Sequence, residues 1–389
     1  MSTFRQPPAR HLSPGDTIGI LGGGQLGRML AMAAARLGLR SHVFSPEPGA
    51  PAAQVATASI AAAYDDRTAL DTFARCVNVV TFEFENVPVE TLEYLAAHRA
   101  VHPGPGALSV AQDRLLEKKF LGDLGIATAP WRRIDSSEEI PAAAADLGRP
   151  AILKTRRFGY DGKGQARIAA DGDALPAWER VGERPSILEG FVPFRRELSV
   201  VAARSQDGRT ACYDLVENRH ENHILARTVA PARADGEQVR TARSIAETVL
   251  GALDYVGVLA VELFECEDGA LLVNEIAPRV HNSGHWTLDA CAVSQFEQHV
   301  RAVAGWALGD PVRHSDAIME NLIGRQAAAW AAYLGQPDCV LHLYGKSAMR
   351  AGRKMGHVTH IYTKGKLPAD AELRHTVTGA ATNVPYSNN

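Results

Sequence analysis

Residues 257–277 read GVLAVELFECEDGALLVNEIA and contain two β-type runs separated by Asp268-Gly269. An Asp-Gly pair between such runs is a strong signal for a tight β-hairpin. Apolar residues are frequent in both runs, which is typical of strands with at least one buried face. This stretch therefore predicts an antiparallel strand pair that packs against a core.

A two-residue turn in this hairpin would place Phe264 opposite Val273 and Glu262 opposite Glu275. Directly opposed side chains share one face of a sheet, with Cβ atoms about 4.5–5.5 Å apart. Two carboxylates so close repel each other unless a cation joins them, and Mg²⁺ is often held by two carboxylates plus substrate phosphates. Asn274 could add an oxygen ligand. The alternative is a shifted register with exposed strand charges, which the apolar context of the strands disfavours.

The 389-residue chain is too long for one hydrophobic core, so two or three domains are expected. Its formal net charge of -3 gives no overall basic field that would suggest nucleic acid or an anionic membrane as a partner. No apolar run approaches the roughly 18 residues of a membrane span, and the N-terminal region lacks the apolar stretch of a secretory signal. Five cysteines without a C-x-x-C pair disfavour a disulfide framework or zinc site, so a cytoplasmic location is expected.

Strand-like and helix-like segments alternate over roughly residues 15–110, which predicts a parallel α/β sheet. Residues 25–37 form the clearest early helix, because their apolar positions recur near helical spacing. Beyond this region strand candidates follow one another with few long helices between them, residues 238–253 being the main exception. The middle of the chain is therefore predicted to be α+β with much antiparallel sheet.

The motif GGGQLGRML follows the first predicted strand, and its Gly22-x-Gly24-x-x-Gly27 spacing fits a dinucleotide fingerprint. A nicotinamide site also needs an acidic residue at the end of the second strand, where Phe44-Ser45-Pro46 stands instead. Two other interpretations remain open. The glycines could serve only a tight turn and helix packing, or the helix start could bind a small sugar phosphate.

The loop LKTRRFGYDGKGQ, residues 153–165, combines glycines with basic side chains. Glycines let backbone N–H groups approach phosphate oxygens, and lysines neutralise phosphate charge. The alternative is a flexible hairpin tip with solvated lysines. Next to a predicted magnesium pair, however, a nucleoside triphosphate is the better interpretation.

Two further motifs are rich in hydrogen-bond donors or positive charge. PRVHNSGHW, residues 278–286, follows Glu275 closely and would face the reacting phosphate, although either histidine alone is more typical of a structural role. GRKMGH places Arg353 beside Lys354, which indicates either an anion site or a solvated surface pair.

These motifs, together with TFEFENVP and YVGVLAVELF, resemble the ATP-grasp superfamily, and most closely its 5-(carboxyamino)imidazole ribonucleotide synthases of purine biosynthesis. The resemblance runs in order from about residue 17 to about residue 365. It implies an ATP-grasp fold with an N-terminal parallel α/β (pre-ATP-grasp) domain at 1–117. An ATP-grasp domain would follow at 118–310, with a lid subdomain at about 118–195, and then a small C-terminal domain at 311–389. Glu320 departs from the pattern, because a less charged residue is expected there.

The resemblance implies an ADP-forming ligase that uses ATP, Mg²⁺ and bicarbonate to carboxylate the amine of 5-aminoimidazole ribonucleotide through carboxyphosphate. It also suggests a homodimer. A formate-dependent glycinamide ribonucleotide transformylase of the same superfamily is the nearest alternative. A nicotinamide-dependent reductase and a non-enzymatic ATP-binding regulator are alternatives from other classes.

The resemblance assigns site residues motif by motif. The residues expected to contact ATP are Arg114, Lys154, Gly159, Tyr160, Asp161, Gly162, Lys163, Gly164, Gln165, Glu189, Gly190, Phe191, Val192, Glu197, His220, Asn274 and Glu275. The ribonucleotide pocket is expected to comprise Gln25, Leu26, Glu83, Asn282, Lys346, Arg353 and Lys354. Glu262 and Glu275 are expected to bind Mg²⁺, Arg279 and His281 to steer bicarbonate or carboxyphosphate, and Tyr160 and Asp161 to position the carboxyl acceptor.

Overall fold

The computed structural model describes residues 11–159 and 162–369. Tyr160 and Asp161, which the sequence assigns to the ATP loop and to the carboxyl acceptor, lie outside the described residues. The described chain is built on three sheets that follow one another in sequence.

The first sheet is parallel throughout, with strand order β3-β2-β1-β4-β5. Helices follow four of its five strands, which confirms the predicted α/β region. The strands are β1 (Thr17–Leu21), β2 (Arg40–Ser45), β3 (Ala58–Ala61), β4 (Val79–Phe82) and β5 (Ala100–Val101). The helices are α1 (Gln25–Arg36), α2 (Arg67–Cys76), α3 (Val89–Ala96) and α4 (Pro105–Gln112).

The second sheet is antiparallel, with order β6-β9-β7-β8, and covers its own small apolar core. The helix α5 (Arg114–Asp123) leads into it from the first sheet. Its elements are β6 (Trp131–Ile134), α6 (Ile140–Leu147), β7 (Ala151–Thr155), β8 (Gln165–Ile168), α7 (Ala174–Arg180) and β9 (Ser186–Gly190).

The third sheet is the largest and is antiparallel, with order β15-β14-β10-β12-β13-β16-β18-β17 and β11 paired to β10. Strands from both sides of residue 310 share this sheet, so a domain boundary there stays a prediction. Its strands are β10 (Phe194–Arg204), β11 (Thr210–Cys212), β12 (Val216–Glu221), β13 (Ile224–Ala230), β14 (Gly257–Cys266), β15 (Leu271–Ala277), β16 (Ser315–Ile323), β17 (Cys339–Leu343) and β18 (Lys354–Thr363). Its helices are α8 (Gly236–Ala252), α9 (Thr287–Ala290), α10 (Gln295–Val303) and α11 (Trp330–Leu334).

Helix α8 supports the strands that carry the predicted carboxylates. Asp235 caps its start by accepting hydrogen bonds from the N–H groups of Glu237 and Gln238, and the Gln238 side chain accepts in return from the N–H of Asp235. Such a capping box satisfies N–H groups that no helical turn can reach. The helix then buries residues at helical spacing in one core with β10, β14 and β15, namely Ala242, Ala246, Val249 and Leu250.

The hairpin between β14 and β15 has a longer turn than predicted. Cys266 pairs with Ala270 through an N–H···O bond of 2.9 Å, and Gly269 closes the turn at a φ of 84°. Three-residue hairpin loops typically place glycine at such a left-handed position. Phe264 therefore lies opposite Leu272, and the predicted register is wrong by one residue on this side of the hairpin.

A β-bulge further along the hairpin restores the predicted pairing of the carboxylates. Leu263 lies opposite Val273, whereas Glu262 lies opposite Glu275, so Asn274 is the extra residue of β15. Two residues of the bulged strand then oppose one residue of its partner, and such bulges re-aim side chains near functional sites. The predicted pairing of Glu262 with Glu275 is confirmed.

Glu320, unexpected from the sequence, is explained by a cross-strand ion pair. It lies opposite Arg227 on the neighbouring strand and accepts a hydrogen bond from the guanidinium Nε at 2.9 Å. The Arg227 side chain is only 4% exposed. A buried guanidinium needs a negative partner, because burial removes its hydration.

We expect Glu320→Ala to lower the free energy of unfolding by about 3–5 kcal/mol, because it leaves the Arg227 charge buried without this partner. Replacing both members, as Arg227→Met with Glu320→Leu, should recover most of that loss. Urea denaturation of the three proteins checks this expectation. A single variant as stable as the wild type would contradict it.

Candidate active site

A cavity of about 470 Å³ is lined by residues from all three sheet regions. Most of the residues singled out in the sequence lie around it, although they are spread over more than 300 positions of the chain. Those that line it are Gln25, Leu26, Arg114, Lys154, Gly159, Gly162, Gln165, Glu189, Gly190, Phe191, Val192, Glu197, His220, Glu262, Asn274, Glu275, Arg279, His281, Asn282 and Lys354.

The other predicted residues of the described chain do not line this cavity. Lys163 and Gly164 belong to the loop between β7 and β8, whose glycines at 159 and 162 do line it. The Lys346 Nζ donates to the backbone oxygen of Lys354 at 2.7 Å, which places it next to the lining. The remaining two are Arg353, which precedes Lys354, and Glu83.

The two paired carboxylates both line the cavity, and each has a basic side chain as its neighbour. Glu275 accepts a hydrogen bond from Arg114 Nη1 at 2.9 Å, and Glu262 lies 3.0 Å from His281 Nε2. Burial alone would raise the pKa of the Glu262 carboxyl, but the hydrogen bond and charge of His281 hold that pKa well below its usual range. Glu262 is therefore an anionic oxygen donor at neutral pH.

A third oxygen beside these carboxylates completes a donor set that fits a hard divalent cation. The Asn274 Oδ1 atom is buried and has no hydrogen-bond partner among residues 11–159 and 162–369. A buried amide oxygen without a partner is costly unless a ligand meets it. Carboxylate and amide oxygens are the ligands that Mg²⁺ accepts, and among the described residues that line the cavity no donor is softer than a histidine nitrogen.

Another part of the cavity lining contains a buried carboxylate with two lysine partners. Glu189 accepts a hydrogen bond from Lys154 Nζ at 2.5 Å and lies 3.1 Å from Lys118 Nζ. Burial would raise the pKa of Glu189, but these two lysines lower it to about 2. Charge is thus held in place next to apolar wall residues, as a flat heteroaromatic base with polar edges requires.

Sequence reasoning missed the apolar wall of the cavity. Phe264 and Phe194 both line the cavity, and their rings stack with centroids 4.6 Å apart and planes at 10°. Phe264 lies two residues after Glu262, so strand alternation could have placed both on one face. The other lining residues that were missed are Glu85, Ala129, Ile152, His223 and Leu225.

An acid–histidine pair on β10 and β12 forms another part of the lining. His220 Nδ1 lies 2.6 Å from the carboxylate of Glu197. Burial alone would lower the pKa of His220, but the hydrogen bond to Glu197 raises it overall. The pair thus presents a polar edge that can bind hydroxyl groups of a ligand.

The segment after β15 brings unpaired and positively charged groups to the cavity. Arg279 donates to the carboxylate of Glu85, which lies two residues after Glu83 and just beyond β4. Neither amide atom of the Asn282 side chain has a partner in the part of the chain that the structure describes. Together they form a polar surface between the first sheet and the paired carboxylates.

The glycine motif at the start of α1 does not offer a free phosphate site. The carboxylate of Glu83 accepts hydrogen bonds from the N–H groups of Gly24 and Gly27 at 2.8 and 3.0 Å. These are the donors that a phosphate at the helix start would need. A Cβ atom on Gly24 would lie 2.8 Å from Glu83 Oε1, so the glycines serve close approach of this carboxylate. Both the dinucleotide interpretation and the sugar-phosphate interpretation of this turn are therefore disfavoured.

Three family models match successive parts of the chain. They are a ribonucleotide synthetase preATP-grasp domain over residues 16–112, an ATP-grasp domain over 119–296 and a phosphoribosylaminoimidazole carboxylase C-terminal domain over 317–366. They agree with the fold class predicted from the sequence.

The N5-carboxyaminoimidazole ribonucleotide synthase of Brucella melitensis is 56% identical over 352 residues, covering 90% of this chain and 97% of that protein. This chain belongs to the N5-carboxyaminoimidazole ribonucleotide synthase family. The Pseudomonas aeruginosa enzyme of the same family is 47% identical over 88% of this chain and 93% of its own length. The family is the one that the sequence motifs resemble.

Solved structures of this family have the same fold. A synthetase in complex with ADP is 41% identical, with a TM-score of 0.88 over 90% of this chain and 94% of that one. The Aspergillus clavatus enzyme in complex with ADP and 5-aminoimidazole ribonucleotide is 32% identical, with a TM-score of 0.84 and the same coverage. In the described residues of this chain, no helix is both long and apolar enough to cross a membrane.

We expect Phe264→Ala to weaken ADP binding about 10-fold or more, because it removes the aromatic surface that would pack on the base. Trp330→Ala provides the control, since Trp330 is 46% exposed and does not line the cavity. Calorimetric titration with ADP measures both, and thermal denaturation verifies that each variant is folded. Equal affinities for the two variants would contradict this placement of the base.

Proposed function

We propose that this chain transfers a carboxyl group from bicarbonate to the amine of 5-aminoimidazole ribonucleotide and converts ATP to ADP and phosphate. One observation carries the proposal. A single cavity joins the carboxylates suited to a metal-bound triphosphate with Gln25 and Leu26 of the first sheet region and Lys354 of the third. Two substrates can therefore meet there without diffusing through water.

In the first step, an oxygen of bicarbonate attacks the γ-phosphorus of ATP, ADP leaves, and carboxyphosphate forms. Glu262, Glu275 and Asn274 would hold Mg²⁺, which neutralises charge on the phosphate oxygens when it is bound. Lys154, Arg114 and the loop from Gly159 to Gln165 would orient the triphosphate. Such transfer depends mainly on positioning and charge neutralisation.

In the second step, the amine of the ribonucleotide attacks the carboxyl carbon, phosphate leaves and the amine loses a proton. Arg279 and His281 lie between the paired carboxylates and the first sheet, where they would bind bicarbonate and then carboxyphosphate. Carboxyphosphate decays in water, so the cavity has to exclude water during its lifetime. The glycine-rich loop after β7 would close over it.

The ribonucleotide would lie between the start of α1 and the loop before β18. Glu83 is fixed by the two glycine N–H groups and would present its remaining lone pairs toward Gln25 and Leu26. Lys346, Arg353 and Lys354 would bind the 5′-phosphate, with Asn282 beside them. The glycine motif then contributes to acceptor binding through Glu83 and the start of the helix.

The main alternative is a formate-dependent glycinamide ribonucleotide transformylase, which would share the ATP site and differ in its acceptor. The similarity to synthases of N5-carboxyaminoimidazole ribonucleotide over about nine-tenths of the chain favours the imidazole substrate. The Glu83 carboxylate at the α1 start argues against a nicotinamide reductase. Multiple turnovers of ATP to ADP would distinguish an enzyme from a non-enzymatic ATP-binding regulator.

We also propose that the enzyme is a cytoplasmic homodimer. All five cysteines are free thiols, which fits a reducing compartment. Met32 on α1 and Leu343 on β17 are about half exposed and line one cavity of about 490 Å³, where a second copy could pack. Sedimentation of the wild type and of a Met32→Glu variant would test the dimer.

The function predicts ADP formation that requires both bicarbonate and 5-aminoimidazole ribonucleotide. Glu275→Gln should lower kcat by at least about 100-fold, because a metal ligand supplies several kcal/mol of charge stabilisation. Glu267→Gln, an exposed residue in the turn of the same hairpin, should leave the rate unchanged. A coupled ADP assay measures both variants.

Two results of this assay would contradict the proposal. ADP formation with glycinamide ribonucleotide and formate, but not with bicarbonate, would favour the alternative ligase. Unchanged turnover in Glu275→Gln would reject the metal assignment.

The proposed role of Lys346 in binding the 5′-phosphate predicts that the KM for the ribonucleotide depends on pH. Burial and the neighbouring Arg353 lower the pKa of Lys346 to about 8, so its ammonium is charged below that pH and loses its charge as the pH rises. A phosphate monoester is already a dianion there, since its second pKa is about 6. The KM for 5-aminoimidazole ribonucleotide should therefore increase above pH 8, and Lys346→Arg should remove that increase. The same pH profile in both proteins would rule out Lys346 as the titrating phosphate ligand.

A further inference from the structure

Helix α5 directs three charged side chains at three consecutive residues of β15. Arg114, Glu117 and Lys118 lie on one face of the helix, because positions three and four apart are neighbours on a helix surface. Arg114 contacts the Glu275 side chain, whereas the other two contact the backbone on either side of it.

These backbone contacts occupy the outer edge of the sheet. The N–H of Ile276 donates to Glu117 Oε1 at 2.6 Å, and the backbone oxygen of Asn274 accepts from Lys118 Nζ at 2.9 Å. β15 is the edge strand of its sheet, so these groups have no neighbouring strand to pair with. Both side chains are almost fully buried, at 2% and 1% exposure, so water does not replace them.

The direction of the Ile276 N–H depends on the bulge. The N–H of Val273 points to the same outer edge, where it donates to the backbone oxygen of Ala127 at 2.8 Å. Backbone groups alternate direction along an unbroken strand, so Ile276, three residues later, would then turn its N–H toward β14. The extra residue Asn274 reverses this alternation, so the N–H of Ile276 points to the outer edge, where Glu117 accepts its hydrogen bond.

We propose that Glu117 and Lys118 are positioning residues that hold the β15 bulge and so direct Asn274 and Glu275 into the cavity together. The inference rests on the proposed magnesium site formed by Glu262 and Glu275. Neither Glu117 nor Lys118 lines the main cavity, so they act on the metal through the backbone of β15.

Electrostatics supports this role. Burial raises the pKa of Glu117 to about 7 in spite of the adjacent Lys118 charge, so the fold keeps this carboxyl at an energetic cost. Lys118 also lies 3.1 Å from Glu189, which lines the main cavity. One buried lysine thus contacts both the bulge and a carboxylate of the cavity lining.

The test compares two disruptive variants with conservative and surface controls. Glu117→Met removes the acceptor for Ile276, and Lys118→Met removes the donor to Asn274. Glu117→Gln keeps an acceptor oxygen. Lys119→Met and Asp123→Asn change exposed charges on the same helix. Two readouts that do not depend on turnover are Mn²⁺ affinity in the presence of ADP, measured by electron paramagnetic resonance, and amide exchange of residues 271–277.

We expect both methionine variants to bind Mn²⁺ about 10–100-fold more weakly, as is typical when a residue that orients a metal ligand is lost. Amide exchange of residues 271–277 should become faster in both. Glu117→Gln and the two surface variants should stay within about 3-fold of the wild type, on the same scale.

Failure of this inference can be told apart from failure of the metal site. If wild-type protein with ADP binds no Mn²⁺, the metal site and this inference are both rejected. If the wild type binds Mn²⁺ and folded methionine variants bind it equally well, only the positioning role is rejected. If Glu117→Met does not fold, amide exchange of residues 271–277 in Lys118→Met decides, because Lys118 also contacts Glu189 of the nucleotide site: faster exchange supports the role and unchanged exchange rejects it. A loss in Glu117→Gln as large as in Lys118→Met would also overturn the role, because Gln retains the acceptor atom.

Discussion

The bulge in β15 is the constraint on which the site depends. In an unbroken strand Asn274 and Glu275 would point to opposite faces, but the extra residue lets both line the cavity opposite Glu262. The bulge is stable at the edge of the sheet because Glu117 and Lys118 of α5 form hydrogen bonds with its backbone. The positions of the carboxylates thus follow from a backbone irregularity that is satisfied by side chains from another element.

Ion pairs among the cavity residues hold in place the charged side chains that would bind a triphosphate and its cation. Glu275 pairs with Arg114, and Glu189 pairs with Lys154 and Lys118. Low dielectric strengthens these pairs, and it equally strengthens their competition with a bound ligand. A cation at Glu275 would release Arg114 toward the phosphates, so the metal and the triphosphate would stabilise each other in the same cavity.

The sequence predicted more of the local structure than of the contacts between distant segments. Helix α1 was predicted over residues 25–37 and spans Gln25–Arg36, because its apolar positions recur near helical spacing. The Glu262–Glu275 pairing was predicted from a two-residue turn, whereas the hairpin has a three-residue turn. The extra residue of the bulge, Asn274, compensates for that error in register. The bulge could not be predicted, since its partners Glu117 and Lys118 lie more than 150 positions earlier. The placement of Glu83 at the glycine turn likewise depends on sheet order, which local patterns do not encode.

The most direct test is a crystal structure of this protein with Mn²⁺ and a non-hydrolysable ATP analogue, with anomalous scattering used to locate the metal. We expect a metal peak within about 2.5 Å of carboxylate oxygens of both Glu262 and Glu275, with the triphosphate bound between the metal and Lys154. A peak at other residues, or carboxylates that face opposite sides of the sheet, would contradict the account.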